Sequence, residues 1–265
     1  METITAPDGT PLAYERLGSG PPLVLVHGTA AANPTAWTSA IPPLAEQFTL
    51  YALTRRGREP SGDGPVYALE REFEDIAALV DAIRTPAFVL GHSFGALVVL
   101  GAALRTRSMR KMILYEPALP LPGQPPVYPP GSLEKLQALF DAGEQETALV
   151  TFYSEVAELQ PEEIEALRAT PQWSARVQSA HTLLREAQAE YDYRYDPRQF
   201  EDLHTPTLLM VGSESPERVQ AGCRALHAVL PNSRLAVLPG QQHIAMYTAP
   251  EMFVRTVRDF LLEAD

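Results

Sequence analysis

Along the first half of the chain, short apolar runs bounded by glycine and proline alternate with stretches whose apolar residues return every three or four positions. Residues 12–17, 22–26, 48–53, 87–90 and 111–115 have the length and content of strands. Between them, Trp37, Ile41 and Leu44 fall at helical spacing, and Phe73, Ile76, Ala77, Val80 and Ile83 mark one face of a longer helix. A further apolar, helix-like run covers 96–104. Strands separated by helices of this length require crossover connections. That predicts an α/β fold with a mostly parallel central sheet covered by helices on both faces.

The pattern changes at Pro117. Pro120, Pro122, Pro125, Pro126, Pro129 and Pro130 are incompatible with a continuous helix or a central strand. Helical spacing returns at Leu133, Leu136, Leu139 and Phe140, then through Leu149, Phe152, Tyr153 and Val156. It continues at Ile164 and Leu167, and at Val177, His181, Leu184 and Gln188. Strand-like runs resume only at 207–211 and 234–238, before a last helix over 250–262. Roughly 80 helical residues thus interrupt an α/β unit. The expected organisation is a core of 1–118 and 204–265 carrying a helical insertion over 119–203. An insertion leaving the carboxyl end of a strand lies where open α/β sheets bind ligands.

A length of 265 residues suits one domain with an insertion. The net charge of −12 argues against nucleic acid or an anionic membrane surface as partner. Arg55, Arg56 and Arg58, and again Arg105, Arg107 and Arg110, form short basic groups within this acidic chain. The opening METITAPDGT has neither the basic nor the apolar region of a secretory signal, and no membrane span is expected. Cys223 is the only cysteine, so an internal disulfide is excluded and a cytoplasmic setting is expected. Its neighbours Ala225, Leu226 and Leu230 mark it as a small buried residue of a helix.

Chemistry is carried first by Gly91-His92-Ser93-Phe94-Gly95, placed between the strand-like run 87–90 and the helix-like run after it. A serine between two glycines at a strand-to-helix passage is held in a strained turn that projects its hydroxyl. Ser93 is therefore the candidate nucleophile. It needs a base, and His243 lies in a loop after the last strand-like run, in Pro-Gly-Gln-Gln-His-Ile-Ala-Met. His92 is expected to point elsewhere, His27 to tie down its loop by hydrogen bonds, and His204 and His227 to be surface or partly satisfied polar groups. Two carboxylates follow strand-like runs at the same sheet edge, Glu116 and Glu214, and either suits the orienting acid. The developing oxyanion needs backbone donors. The Phe94 amide is one, and the loop His27-Gly28-Thr29-Ala30 offers Thr29 first and Ala30 second.

Together these residues resemble the α/β-hydrolase superfamily, specifically its small serine esterase-like members with a helical cap. The resemblance runs through VLVHGTA, RRGRE, VLGHSFG, LLMVGSESP and LPGQQHIAM, nearly the whole chain. It implies the order nucleophile, acid, histidine. The family's usual acid is an aspartate three residues beyond the late-strand glycine, a register that here holds Ser215, with Glu214 one residue short. Some members place the acid after the preceding core strand, which corresponds to Glu116. On that ground Glu116 is the first choice and Glu214 the alternative. The familiar Asp-Arg-x-Gly-x-Gly loop is changed to Thr54-Arg55-Arg56-Gly57-Arg58-Glu59-Pro60.

The nucleophile type sorts related chemistries. Epoxide hydrolases and haloalkane dehalogenases of this fold use an aspartate, because a serine alkylated at an aliphatic carbon would become an inert ether. A Ser-acyl enzyme is instead open to water. The expected function is thus hydrolysis of a small carboxylic ester, lactone or related acyl compound, without metal or cofactor. No metal-ligand spacing and no Gly-rich phosphate loop appears in the sequence. Trp37, Phe152, Tyr153 and Trp173 are expected to line an apolar substrate pocket, with Phe94 beside them. His181 and Arg185 would reach a polar or anionic substrate part. Alternatives on the same constellation are a perhydrolase or haloperoxidase-type enzyme, a lyase or cyclase, or a small-molecule receptor without turnover. A homo-oligomer is compatible with the sequence.

Overall fold

A computed structural model of the protein describes residues 1–31, 36–121 and 127–264. Among the described residues eight strands form one sheet: β1 (Glu2–Thr5), β2 (Pro11–Leu17), β3 (Pro22–Val26), β4 (Thr49–Leu53), β5 (Ala87–His92), β6 (Met109–Tyr115), β7 (Thr207–Gly212) and β8 (Ser233–Leu238). Their order is β1-β2-β4-β3-β5-β6-β7-β8. The β1–β2 and β2–β4 pairs are antiparallel, and the others are parallel. Strand β1 is missing from the sequence reading. Its four residues, ETIT, are largely exposed and carry no apolar run, so only pairing with β2 makes them a strand.

Along the central strands, successive side chains divide between two cores. Leu23, Leu25, Leu90, Ile113 and Met210 enter one. Val24, Val26, Val89, Leu114 and Leu209 enter the other. This period of two, with both faces apolar, is what a sheet covered on both sides requires.

The helices are α1 (Ile41–Ala45), α2 (Leu69–Ala82), α3 (Phe94–Ala103), α4 (Ser132–Asp141), α5 (Gln145–Glu155), α6 (Pro161–Arg168), α7 (Trp173–Ser179), α8 (Leu183–Asp192), α9 (Glu217–Val229), α10 (Ala245–Thr248) and α11 (Pro250–Leu262). Helix α3 is apolar all round and every residue in it is buried, as expected of a helix enclosed by neighbours. Helix α2 is amphipathic and buries Phe73, Ile76, Ala77 and Val80. Helices α4 to α8 all fall between β6 and β7, with no strand there among the described residues. Of the prolines at the start of that segment, Pro122, Pro125 and Pro126 lie outside the described residues. Cys223 sits wholly buried in α9, where burial pushes its thiol pKa up. No helix among the described residues is long and apolar enough to cross a membrane.

Candidate active site

Ser93 is the single residue between the end of β5 and the start of α3, with φ 56° and ψ −125°. A non-glycine residue reaches that conformation only when its surroundings hold it there. They do so here through backbone hydrogen bonds. The Ser93 N–H donates to the Tyr115 carbonyl at 2.9 Å, and the Ser93 carbonyl accepts from Ala96 at 2.9 Å. Gly95 permits the close approach of the neighbouring loop. A Cβ at that position would lie 2.4 Å from the His27 carbonyl oxygen. The glycine thus lets the turn around Ser93 and the loop after β3 close on each other.

That loop is fixed from below. His27 is fully buried; its Nδ1–H donates to the Gly28 carbonyl at 2.9 Å, while its Nε2 accepts from the Arg55 N–H at 3.2 Å. Burial, then the charges of Arg58 and Arg55, hold its pKa well below the ordinary imidazole range, so the ring is neutral. The Arg55 guanidinium donates to the Gly28 carbonyl at 3.1 Å and stacks over the Phe94 ring at 4.7 Å. Thr29 lines both cavities that meet at Ser93. Ala30 is wholly buried at φ 50° and lines neither.

The two candidate acids separate cleanly. Glu116 follows β6 in a left-handed conformation, φ 45°, and its carboxylate is buried. His243 Nδ1–H donates to Glu116 Oε2 at 2.6 Å. The other oxygen, Oε1, accepts from the Gly212 N–H at 2.8 Å and from the Ser215 hydroxyl at 2.5 Å. Glu214 is exposed and accepts from the Ser213 hydroxyl at 3.0 Å. The register explains the outcome: Ser215, not Glu214, faces the end of β6, and its hydroxyl reaches the Glu116 carboxylate.

His243 is held by residues to which the sequence reading gave no such role, among them His92, expected there only to point elsewhere. His92 Nε2–H donates to the His243 carbonyl at 2.8 Å, and the two rings lie 4.6 Å apart. Burial, followed by the proximity of His243, lowers the His92 pKa well below its usual value. The Tyr115 hydroxyl donates to the Gln242 carbonyl and accepts from the Ala245 N–H at 3.0 Å. No local pattern announces these clamps; they depend on the ends of β5 and β6 lying beside the loop after β8.

Ser93 and His243 line both cavities. Phe152 also lines both, and Tyr153 lines the second. The remaining expected pocket residues stand elsewhere. Trp37 is fully buried in the core, edge-on to His92 at 6.3 Å, because its large apolar ring packs beneath the site. Trp173 turns its indole N–H to Glu146 at 3.0 Å. His181 sets its ring nitrogens against the carbonyls of Gln178 and Gly57, each at 2.8 Å. Arg185 pairs with Asp63 at 2.5 Å and lies over the Tyr67 ring at 4.4 Å. His181 and Arg185 therefore fasten the inserted helices to the loop after β4 and do not line the Ser93 cavities. Among the described residues no group of three or more His, Cys, Asp or Glu side chains is disposed to hold a metal ion.

Known proteins are similar to this chain over nearly its whole length. The chain is similar to the crystal structure of an alpha/beta hydrolase from Sphaerobacter thermophilus, at 35% identity and a TM-score of 0.85, covering 98% of this chain and 100% of that one. It is 25% identical over 259 residues to a pimeloyl-(acyl-carrier protein) methyl ester esterase of Aeromonas hydrophila, spanning 94% of this chain and 99% of that protein. It is also 26% identical to a 2-(acetamidomethylene)succinate hydrolase of Mesorhizobium japonicum, over 92% of this chain and 89% of that protein. The model of the alpha/beta hydrolase family matches residues 23–256, a span that includes Ser93, Glu116 and His243, and the chain belongs to that family.

Proposed function

We propose that the protein is a serine hydrolase that cleaves a small carboxylic ester, lactone or related acyl compound through an acyl-enzyme on Ser93. His243 takes the Ser93 proton as the hydroxyl attacks the carbonyl, and Glu116 holds the imidazole in the tautomer whose Nε2 accepts that proton. The amides of Phe94 and Thr29 receive the oxyanion; Phe94 opens α3, and the first N–H groups of a helix have no intrahelical partner. The histidinium then protonates the leaving group. Water, deprotonated by His243, attacks the acyl-enzyme and releases the carboxylic acid and free Ser93. The inserted segment acts as a cap, contributing Tyr128 ahead of α4, Phe152 of α5 and Glu190 of α8 to the cavity wall.

The observation that carries this reading is the 2.6 Å bond from His243 to a buried Glu116 at the wall of a cavity that also contains Ser93. No bond from the Ser93 hydroxyl to His243 is formed among the described residues, in keeping with catalytic bonds that tighten only around substrate. The similar Aeromonas and Mesorhizobium proteins, an ester hydrolase and a hydrolase of an acetamido compound, support acyl chemistry. Intact-mass analysis after fluorophosphonate treatment tests the assignment. One adduct on the wild type and none on Ser93→Ala is expected, together with loss of ester turnover in the variant. An unmodified wild type, or an adduct that survives Ser93→Ala, would overturn it.

A further inference from the structure

The cavity shared by Ser93 and His243 contains a carboxyl group that the hydrolytic steps do not use. Glu190 belongs to α8 and is only 2% exposed. Its Oε2 accepts from the Tyr128 hydroxyl at 3.1 Å, while the buried Oε1 has no hydrogen-bond partner among the described residues. Most of the surrounding wall is apolar, including Leu119, Val127, Phe152 and Val219. A buried polar atom left unpaired costs stability, and a leucine would serve packing better. A ligand atom entering the cavity that Glu190 lines would supply the missing partner.

The charge state of Glu190 sets what that can be. Burial dominates. Tyr128 and Arg218 act against it and Glu186 acts with it, leaving the carboxyl pKa pushed up to about 8. At neutral pH Glu190 is an uncharged acid. Tyr128 already occupies Oε2 as an acceptor, so the proton belongs on Oε1, where it is free to be donated. Arg218 lines the same cavity, but its guanidinium is paired with Glu158 at 2.6 Å and donates to the Val156 carbonyl, so it adds little net charge there.

We infer, resting on the acyl-hydrolase reading above, that Glu190 is a specificity-determining residue that selects acyl groups carrying an oxygen acceptor beyond the scissile carbonyl. The acceptor chemistry is that of a keto or carboxylate oxygen. An acyl chain without one would leave the Glu190 O–H unpaired in an apolar wall, and that mismatch is the source of discrimination.

Two p-nitrophenyl esters of equal chain length test this: the pentanoate and its γ-keto analogue, the levulinate. After correction for their hydroxide-catalysed rates, the wild type should favour the levulinate by about tenfold in kcat/KM, chiefly through KM. The preference should fade as pH rises through about 8, where Glu190 ionises. Because it is a ratio of two esters, pH effects common to both cancel. Glu190→Leu should bring the ratio to about one at every pH. Glu190→Gln, whose amide still donates an N–H, should keep the preference but lose its pH dependence.

The same ratio in Glu190→Leu, or no preference in the wild type, would overturn the inference. Calorimetric binding of methyl levulinate and methyl pentanoate to Ser93→Ala reads the same discrimination without turnover. Discrimination in binding by an enzyme that hydrolyses neither ester would keep the Glu190 assignment and defeat the hydrolase reading. Hydrolysis of both esters without discrimination would do the reverse.

Discussion

Two regions at the same edge of the sheet use buried charge in opposite ways. After β4, Arg55 pairs in two-pronged fashion with Glu72, at 2.9 and 2.6 Å, and also meets Glu186 at 3.0 Å. Arg56 grips Asp75 at 2.6 and 2.7 Å and reaches Asp8 at 2.9 Å. Arg58 joins Glu186 at 2.6 Å. All three arginines are about 1% exposed. Around Ser93 ionisable groups are fewer: Glu116, bonded on both oxygens, Glu190, bonded on one and uncharged at neutral pH, and Arg176 and Arg218 in the cavity walls. The first region spends its charges on one another and locks the loop after β3 to α2 and α8. Arg58 Nε and Glu186 Oε2 stay unpaired even there among the described residues, so what sets the second region apart is that its unspent acceptor, Glu190 Oε1, belongs to a residue lining the cavity of Ser93. Stability should therefore be concentrated in the arginine network and chemistry in the sparse site, and substitutions should separate the two.

The largest effect is expected from Glu116→Gln. The amide oxygen can still accept from Gly212 and Ser215, but its NH2 would face His243 Nδ1 and favour the tautomer unable to take the Ser93 proton. A fall in kcat of about 10³–10⁴-fold is expected, with little change in the unfolding midpoint. A loss below about tenfold would remove Glu116 from the proposed mechanism.

Arg55→Met should show the converse. Removing one partner of a buried ion pair costs about 3–5 kcal/mol, here because Glu72 loses its bidentate partner. Urea denaturation would read this directly. In the double variant Arg55→Met/Glu72→Met, two apolar side chains replace the pair, and at least half of that loss should return. Activity should not return with it, because the Gly28 carbonyl still lacks the donor that holds the loop after β3. Recovery of both together would mean that the network and the site are one unit and that the contrast drawn above is false.

Ser215→Ala comes next. It removes one of two donors to Glu116 Oε1 and leaves the Gly212 N–H in place. Hydrogen bonds to a charged group warrant a loss of about tenfold in kcat with KM nearly unchanged. A change confined to KM would show that Ser215 touches substrate and does not position the carboxylate.

What could be read from sequence follows the range of each signal. Ser93 stood out because strand, turn and helix occupy one short stretch, and His243 because its loop precedes the last helix. The choice between Glu116 and Glu214 stayed open because it depends on how β6 and β7 are aligned, which no local pattern encodes. The same limit hid Glu186, which meets Arg55 across 131 positions, and the pairing of Tyr128 with Glu190 across 62. Arg55, Arg56 and Arg58 read as a diluted basic group, yet each is buried against carboxylates from distant elements. His181 and Arg185 had the spacing of a substrate-facing pair, and the loop after β4 claims them instead.

Glu214→Gln should have the smallest effect and is the most direct comparison with Glu116→Gln. Sequence placed the two glutamates almost equally well, each just past a strand at the same sheet edge. In the fold Glu214 is exposed and its carboxylate meets only the neighbouring Ser213 hydroxyl among the bonds described. An exposed side chain with one local bond contributes within about 0.5 kcal/mol, so stability and kcat/KM should stay within roughly twofold of wild type. The chemical change, one carboxylate to one amide, is the same in both variants. Any difference between them therefore measures position alone: a buried carboxylate aligned with His243 against one turned to water a single residue out of register.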